Sequence, residues 1–231
     1  MIDNSTKSSC LLCQNKSACF EKLTEEELMS VDERRVELHY RKGEVIAKQG
    51  SFVTHILFLK KGLTKIYREI DKDNNLILNF YPSGKLMGLS SLYMNSILQF
   101  SIAAVEDSVI CAMDIHIFEK FVRQNGQFAA SIIHAINQHF AHRTEKLVSL
   151  TQKQMNGRLA EAFLFFADQL YNSDSFHLSL TRKDIAEFTG MSVMSVVRGI
   201  KDFKENGILE DNNGDITLLK RDLLEKISQT G

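Results

Sequence analysis

The stretch Thr181-Arg182-Lys183-Asp184-Ile185-Ala186-Glu187-Phe188-Thr189-Gly190-Met191-Ser192 decides the reading of the C-terminal third of the chain. Thr181 to Thr189 reads as one helix and Gly190-Met191 as a turn. Ser192 then caps a second helix that runs to about Asn206 and stops at Gly207. Two helices joined by a tight glycine turn make a helix-turn-helix. The apolar runs that follow, Ile208-Leu209 and Ile216-Thr217-Leu218, flank a polar turn centred on Asn213-Gly214. Asn-Gly between short apolar runs signals a hairpin, because both residues tolerate positive φ. Residues 157–231 are therefore expected to fold as a winged helix-turn-helix.

Upstream, from about Ile115 to Asn172, the apolar period is helical. Ile133, Ile136, Phe140, Arg143, Leu147, Leu150 and Gln154 follow a 3-4-3-4-3-4 spacing. That is a heptad seam with Arg143 as its one charged member and Gln154 as a polar end. The remaining faces are rich in Lys, His and Gln, which favours pairing with a second copy over burial on the helix's own domain. A dimerisation helix is expected over residues 126–156.

Further upstream, Val36 to Asp114 is cut by turn signals at Lys42-Gly43-Glu44, Gln49-Gly50-Ser51, Lys61-Gly62, Asp73-Asn74-Asn75 and Ser83-Gly84-Lys85. Apolar runs such as Ile56-Leu57-Phe58-Leu59 and Leu76-Ile77-Leu78 lie between them. Turns at this spacing indicate an all-β roll, sandwich or barrel. Thr24-Glu25-Glu26-Glu27 starts a helix, with Thr24 as its cap and Glu27 completing a capping box. Residues 1–22 are polar, show no strong period, and are expected to wrap as a loop on the rest.

The whole chain has 231 residues, 44% hydrophobic and 25% charged, an ordinary globular composition. Its 28 Lys+Arg balance 29 Asp+Glu, which excludes a strongly basic nucleic-acid coat but not a local basic patch. No run approaches the ~20 apolar residues of a membrane span, and Met1 to Ser9 holds no apolar signal core. The chain is therefore expected in the cytoplasm, where metal or redox chemistry suits its four cysteines better than disulfides. There is no Gly-rich phosphate loop, no His-Glu-x-x-His and no Gly-x-Ser-x-Gly, so an enzyme has little support.

Taken in order, these pieces resemble the Crp/Fnr family of bacterial transcription regulators over nearly the full length. The landmarks are Lys42-Gly43-Glu44, Gly50, Lys61-Gly62, Gly84-x-x-x-Gly88, Gly157-Arg158-Leu159-Ala160 and Leu180-Thr181-Arg182-x-Asp184-Ile185-Ala186. The resemblance implies an α+β fold. A cysteine-bearing segment (1–22) precedes a cyclic-nucleotide-binding-like β-roll, or jelly roll (23–125). The dimerisation helix (126–156) and the winged helix-turn-helix (157–231) follow. It also implies double-stranded DNA, a second copy of the chain and RNA polymerase as partners.

Within the family, Cys10, Cys13 and Cys19, in a Cys-x2-Cys-x5-Cys pattern, with Cys111 far downstream, are similar to the oxygen-sensing Fnr branch. That likeness implies an iron–sulfur cluster, [4Fe-4S] above all, that responds to oxygen or nitric oxide. The thiols alone leave [4Fe-4S], [2Fe-2S], structural zinc and unligated or disulfide-forming cysteines open. A ligand about 90 residues away would couple any such metal to the folded roll. Leu11, Leu12, Ala18 and Phe20 flank the cysteines as an apolar cover, with small Ala18 expected to leave the site accessible.

Cyclic-nucleotide-responsive members carry a glutamate after Gly-x-x-x-Gly and an Arg-Ser pair for the phosphate. Here Leu89 follows Gly88, and Phe100-Ser101 stands where Arg-Ser would, so the charge-assisted pair is lost. Haem has weak support, although His139 and His142 at i,i+3 could touch a metal. A metal-free regulator with a small-molecule effector in the β-roll is the rival reading.

For DNA, the resemblance makes Ser192 to Lys201 the recognition helix. Arg198 is the direct reader of a guanine. Ser192 and Ser195 cap the helix or bond phosphate or base. Thr181, Arg182, Lys183, Lys201 and Lys204 are candidate phosphate contacts. Met194 stands where many members have glutamate, and Val197 replaces a polar reader. Val193, Met194 and Val197 are therefore read as contacts to thymine methyls, and the usual operator half-site is not assumed. From Gly157 onward there are 9 Lys+Arg and 12 Asp+Glu, so binding should be steeply salt-sensitive.

Overall fold

Local signals build the first helix as expected. Thr24 accepts a hydrogen bond from the Glu27 N–H, and the Glu27 carboxylate accepts from the Thr24 N–H, a complete capping box at the head of α1 (Glu25–Arg34). The computed structural model describes residues 9–13, 15–71, 74–93 and 97–230. The chain divides into two units. One is residues 1–65 with 81–141; the other is residues 66–80 with 142–231.

The β-rich part holds β1 (Val36–Tyr40), β2 (Val45–Ala47), β3 (His55–Lys61), β4 (Leu63–Glu69), β5 (Asn75–Pro82), β6 (Leu86–Met87), β7 (Ser101–Ala104) and β8 (Ser108–Asp114). They form two four-stranded sheets, β1-β8-β3-β6 and β2-β7-β4-β5. Ile56, Leu59, Met87, Ile102 and Ile110 are fully buried in this roll. Strand β8 runs antiparallel to both neighbours, so Cys111 stands opposite Glu37 on β1 and Phe58 on β3. Gly62, between β3 and β4, has φ +101° and no room for a side chain: a Cβ would fall 2.4 Å from Ser108 Oγ.

Residues 1–22 are not wholly loop. Short 3₁₀ turns form at Cys10–Leu12 and Phe20–Lys22, while residues 1–8 and 14 lie outside the described residues. After the roll, Asp114 caps α2 (Ile115–Gln124), and α3 (Gly126–Gln152) follows as one 27-residue helix. The seam ends earlier than the spacing suggests. Gln154 lies beyond α3, in extended conformation, as the cap of α4 (Met155–Phe165).

The second unit continues through a π-helical turn (Phe166–Tyr171) into β9 (Ser175–His177), α5 (Arg182–Thr189), α6 (Val193–Glu205), β10 (Leu209–Asn212), β11 (Asp215–Leu218) and α7 (Arg221–Thr230). Asn213 and Gly214 both have positive φ, at 56° and 98°, which gives the tight turn the Asn-Gly pair signals. The wing has a third strand, in the order β10-β11-β9. Sequence reading had neither β9 nor α7. Strand β9 is only three residues long, and α7 packs on α4 with Leu224 fully buried. Phe80, Phe165, Phe166 and Phe188 form an aromatic cluster in this unit.

Candidate metal centre and nucleic-acid interface

Cys10, Cys13 and Cys111 line one apolar pocket with Phe20, Leu28, Val31, Phe58 and Met113. The sheet register aims Cys111 at it. The N-terminal segment reaches it because Asn15 donates to the Lys60 carbonyl at 3.0 Å and the Cys10 N–H donates to Asp32 at 3.2 Å. Three cations, Lys16, Arg35 and Lys60, also line it. Cys19 is buried elsewhere. Its thiol donates to the Ser131 carbonyl on α3 at 3.6 Å, beside a different groove lined by Ala18, Lys22 and His134.

Among the described residues, no three His, Cys, Asp or Glu side chains stand in metal-holding geometry. The donor set nonetheless suits a thiolate-bound group at Cys10, Cys13 and Cys111: soft ligands, apolar walls and nearby positive charge. Burial pushes the Cys10 thiol up to about 11 and raises Cys111 as well, against the pull of Arg35. Both are protonated thiols near neutral pH, so a metal must displace their protons on binding.

Arg35 is the charged centre of this region. Burial works against its charge, but Cys111, Cys10, Asp32 and Glu37 hold its pKa above the ordinary arginine range. Burial also works against the Asp32 and Glu37 carboxylates. Asp32 is lowered nonetheless by hydrogen bonds from Arg35 and Cys10, and Glu37 by Lys60 and Arg35. Sequence reading missed Arg35 because nothing local separates it from exposed Arg34.

The expected cover is different in kind. Phe20 is buried and packs on Phe58 and Phe128, but Leu12 is 81% exposed and Ala18 lies on the other groove. Ala18 therefore does not gate the three-cysteine pocket. In the roll, Leu89 is buried, and buried Ser101 accepts from the Gln49 N–H rather than facing a ligand. His139 packs on Tyr81 and His142 on Phe165, so each ring already has an aromatic neighbour.

On α6, Ser192 accepts from the Ser195 N–H at 3.1 Å, and Gly190 closes α5 with φ +63°. Met194 is 72% exposed, and Val193 and Val197 are exposed beside it. Arg198 is exposed and, among the described residues, its side chain makes no hydrogen bond or ion pair. Thr181 is exposed but its hydroxyl is bonded to Asp184. The candidate cations differ more than their sequence suggests. Arg182 is paired with Asp211, and Lys204 donates to the Asp211 carbonyl. Lys183 and Lys201 form loose i,i+4 pairs with Glu187 and Glu205 at 3.7 and 3.6 Å. Of the seam, Phe140 is 71% and Leu147 62% exposed; Ile133, Ile136 and Arg143 are exposed and Leu150 half-buried.

Residues 37–125 match the family model of the cyclic nucleotide-binding domain, and residues 157–227 that of the Crp-like helix-turn-helix domain. The fumarate and nitrate reduction regulatory protein of Escherichia coli is 23% identical over 228 residues, 95% of this chain and 90% of that protein. Electron transport regulator A of Shewanella oneidensis is 24% identical over 175 residues, 74% of this chain and 69% of that protein. Among solved structures, FixK2 from Bradyrhizobium japonicum matches with a TM-score of 0.79 at 20% identity, covering 85% of this chain and 98% of that one. A CooA mutant from Carboxydothermus hydrogenoformans matches at 0.72 and 21% identity, covering 96% and 97%. At these identities the structural likeness is one of fold.

Proposed function

The chain belongs to the Crp/Fnr family of DNA-binding transcription regulators, which are not enzymes, and we propose that it works as a homodimer sensing oxygen or nitric oxide through an iron–sulfur cluster. The observation that carries this reading is the sharing of one pocket by Cys10 and Cys13, from the segment ahead of the roll, and Cys111, from the roll's last strand. Relatives named as fumarate and nitrate reduction regulators, matched over nearly the whole chain, support it. Cys10, Cys13 and Cys111 would hold the cluster, with Cys19 as fourth ligand once it leaves the Ser131 carbonyl. An iron–sulfur cluster held there would supply iron and sulfide that oxygen can oxidise and iron that nitric oxide can bind.

The chain's own residues connect that pocket to the dimer helix. Phe20 stacks on Phe128 in the first turn of α3, and Cys19 bonds the Ser131 carbonyl one turn on. Asn125, which caps the start of α3, donates to the Lys22 carbonyl at 3.0 Å. A rearrangement of the cysteine segment would thus act directly on α3. The seam on α3 would pair two copies, which sets two recognition helices on two half-sites. Arg198 would read a base, with Val193, Met194 and Val197 against thymine methyls and Thr181, Ser192, Ser195 and Lys201 near the backbone. RNA polymerase would be the downstream partner. Among the described residues no helix is long and apolar enough to cross a membrane, and we place the protein in the cytoplasm.

The test is protein purified without oxygen, assayed for iron, sulfide and visible absorbance. The expected result is iron and sulfide in equal amounts, with most iron lost on replacing any of the four cysteines by serine. Full iron in three of the four single variants would overturn the shared site. Zinc without sulfide would replace the sensor reading with a structural one. One observation favours the rival metal-free effector: Val36, Leu38, Val45 and Phe52 line an open apolar hollow in the roll. Iron-free protein whose DNA affinity changes with a small apolar ligand would support it.

A further inference from the structure

We infer that Arg35 is a positioning residue for the cysteine pocket: its buried guanidinium fixes Cys111 and, through Asp32, the Cys10 end of the segment, and offsets the negative charge that thiolate ligands bring. The inference rests on the iron–sulfur reading for its charge effect but not for its positioning effect.

Arg35 directly follows α1 and is 3% exposed. Its Nε donates to Asp32 Oδ1 at 3.0 Å, and one Nη donates to Glu37 Oε2 at 3.1 Å and to Cys111 Sγ at 3.4 Å. The same Asp32 oxygen accepts the Cys10 N–H. One side chain thus ties residues 76 apart in sequence, and its carboxylate partner ties the segment 22 residues upstream. Lys60 neutralises Glu37 from the other side at 2.8 Å. Three cations, Lys16, Arg35 and Lys60, line the pocket against the two carboxylates Asp32 and Glu37, which leaves one positive charge to offset bound thiolates, and Arg35 is the cation that touches a ligand thiol. A buried ion pair alone would explain Asp32 and Glu37. It would not require the guanidinium to face a thiol that lines the proposed site.

Two measurements decide this. The first uses metal-free, reduced protein and a short bifunctional thiol reagent, with peptide mapping of the Cys10–Cys111 cross-link. Arg35→Gln should lower its yield at least fivefold, Asp32→Asn should lower it too, and Arg35→Lys should restore part of it. Equal yields in folded variants overturn the positioning claim, whether or not the wild type ever binds iron. The second uses protein loaded without oxygen and titrated to its midpoint potential. Arg35→Gln should shift the oxidised-to-reduced ratio at fixed potential about tenfold towards oxidised, equivalent to ~59 mV for a one-electron couple. Glu37→Gln should shift it the other way. A structural role alone would lower thermal stability and leave the potential in place. If Arg35→Gln does not fold, the sign of the Glu37→Gln shift decides the charge effect; no shift, or the opposite sign, overturns it. Wild type that takes up no iron refutes the proposed function, and the cross-link still decides Arg35's role.

Discussion

The ammonium nitrogen of Lys146 stands 3.2 Å from the centroid of the Phe188 ring, joining the last third of α3 to the first helix of the helix-turn-helix. Burial pushes that lysine down to about 7, partly offset by Glu161 and reinforced by Arg158. One turn earlier, His142 stacks on Phe165, its buried Nε2 has no hydrogen-bond partner among the described residues, and burial lowers its pKa against the pull of Glu145 and Glu161.

The sign of the pH dependence follows. An unfolded lysine titrates near ~10.4. Between about 7 and that value the unfolded chain holds a proton that the folded chain has released, so stability rises with pH across this window. Lys146→Met, similar in length but uncharged, should raise Tm at pH 7 by roughly 4 °C and lose that gain near pH 10. For His142, stability should fall as pH drops through ~6.5, and His142→Phe should flatten that acid arm. Thermal unfolding at a series of pH values checks both; gains that do not change with pH would sink the electrostatic account.

Gly199 sits where α6 crosses α4. A Cβ there would lie 2.6 Å from Leu159 Cδ2, and Leu159 has no exposed surface through which to retreat. Alanine favours a helix by ~1 kcal/mol over glycine, but overpacking a core costs ~1–3 kcal/mol. Gly199→Ala should therefore lower stability and weaken DNA binding by tilting the recognition helix. Denaturant titration would reveal it; a rise in midpoint would mean that Leu159 can move aside.

Arg198 and Lys201 lie on the same helix with different surroundings. Among the described residues the Arg198 side chain has no hydrogen-bond or ion-pair partner, while Lys201 is held loosely by Glu205. Arg198→Ala should cost about 1–3 kcal/mol at one base position and relax preference there. Lys201→Ala should weaken all sequences alike and reduce the salt slope by about one. Selection of sites from a random pool separates the two, and a uniform loss for Arg198→Ala would demote it to a backbone contact.

Arg143 shares a helix face with exposed Phe140 and Leu147. In a parallel two-fold pair, two such arginines would approach each other, and like charges oppose association. Arg143→Leu should tighten the dimer and make DNA binding less dependent on oxygen, whereas Phe140→Glu should loosen the dimer. Sedimentation with and without cluster gives the constants. An unchanged constant for Arg143→Leu would mean that the side chain reaches water at no cost.

Much of this architecture is written in short stretches of chain. Thr24 with Glu27, Ser192 before α6, Gly190 after α5 and Asn213-Gly214 in the wing each act within four residues, through backbone hydrogen bonds that neighbours alone can satisfy. The turn signals between Val36 and Asp114 and the seam from Ile133 to Leu150 needed only turn chemistry and the helical period. Sequence could also name the four cysteines, since their spacing needs no fold to be seen.

What tertiary structure decided is which of those residues meet. Strand register set Cys111 opposite Glu37 and Phe58, and so brought Arg35 to its thiol. It gave Cys10 and Cys13 the same pocket while Cys19 turned to the Ser131 carbonyl. It took Arg182 out of the free cations by pairing it with Asp211 and left Arg198 open. Local pattern carries propensity and exposure, whereas partnership between residues 22, 29 or 76 apart depends on how strands and helices are laid side by side. A buried charge takes its partner from that layout, because it cannot stay in the core without one.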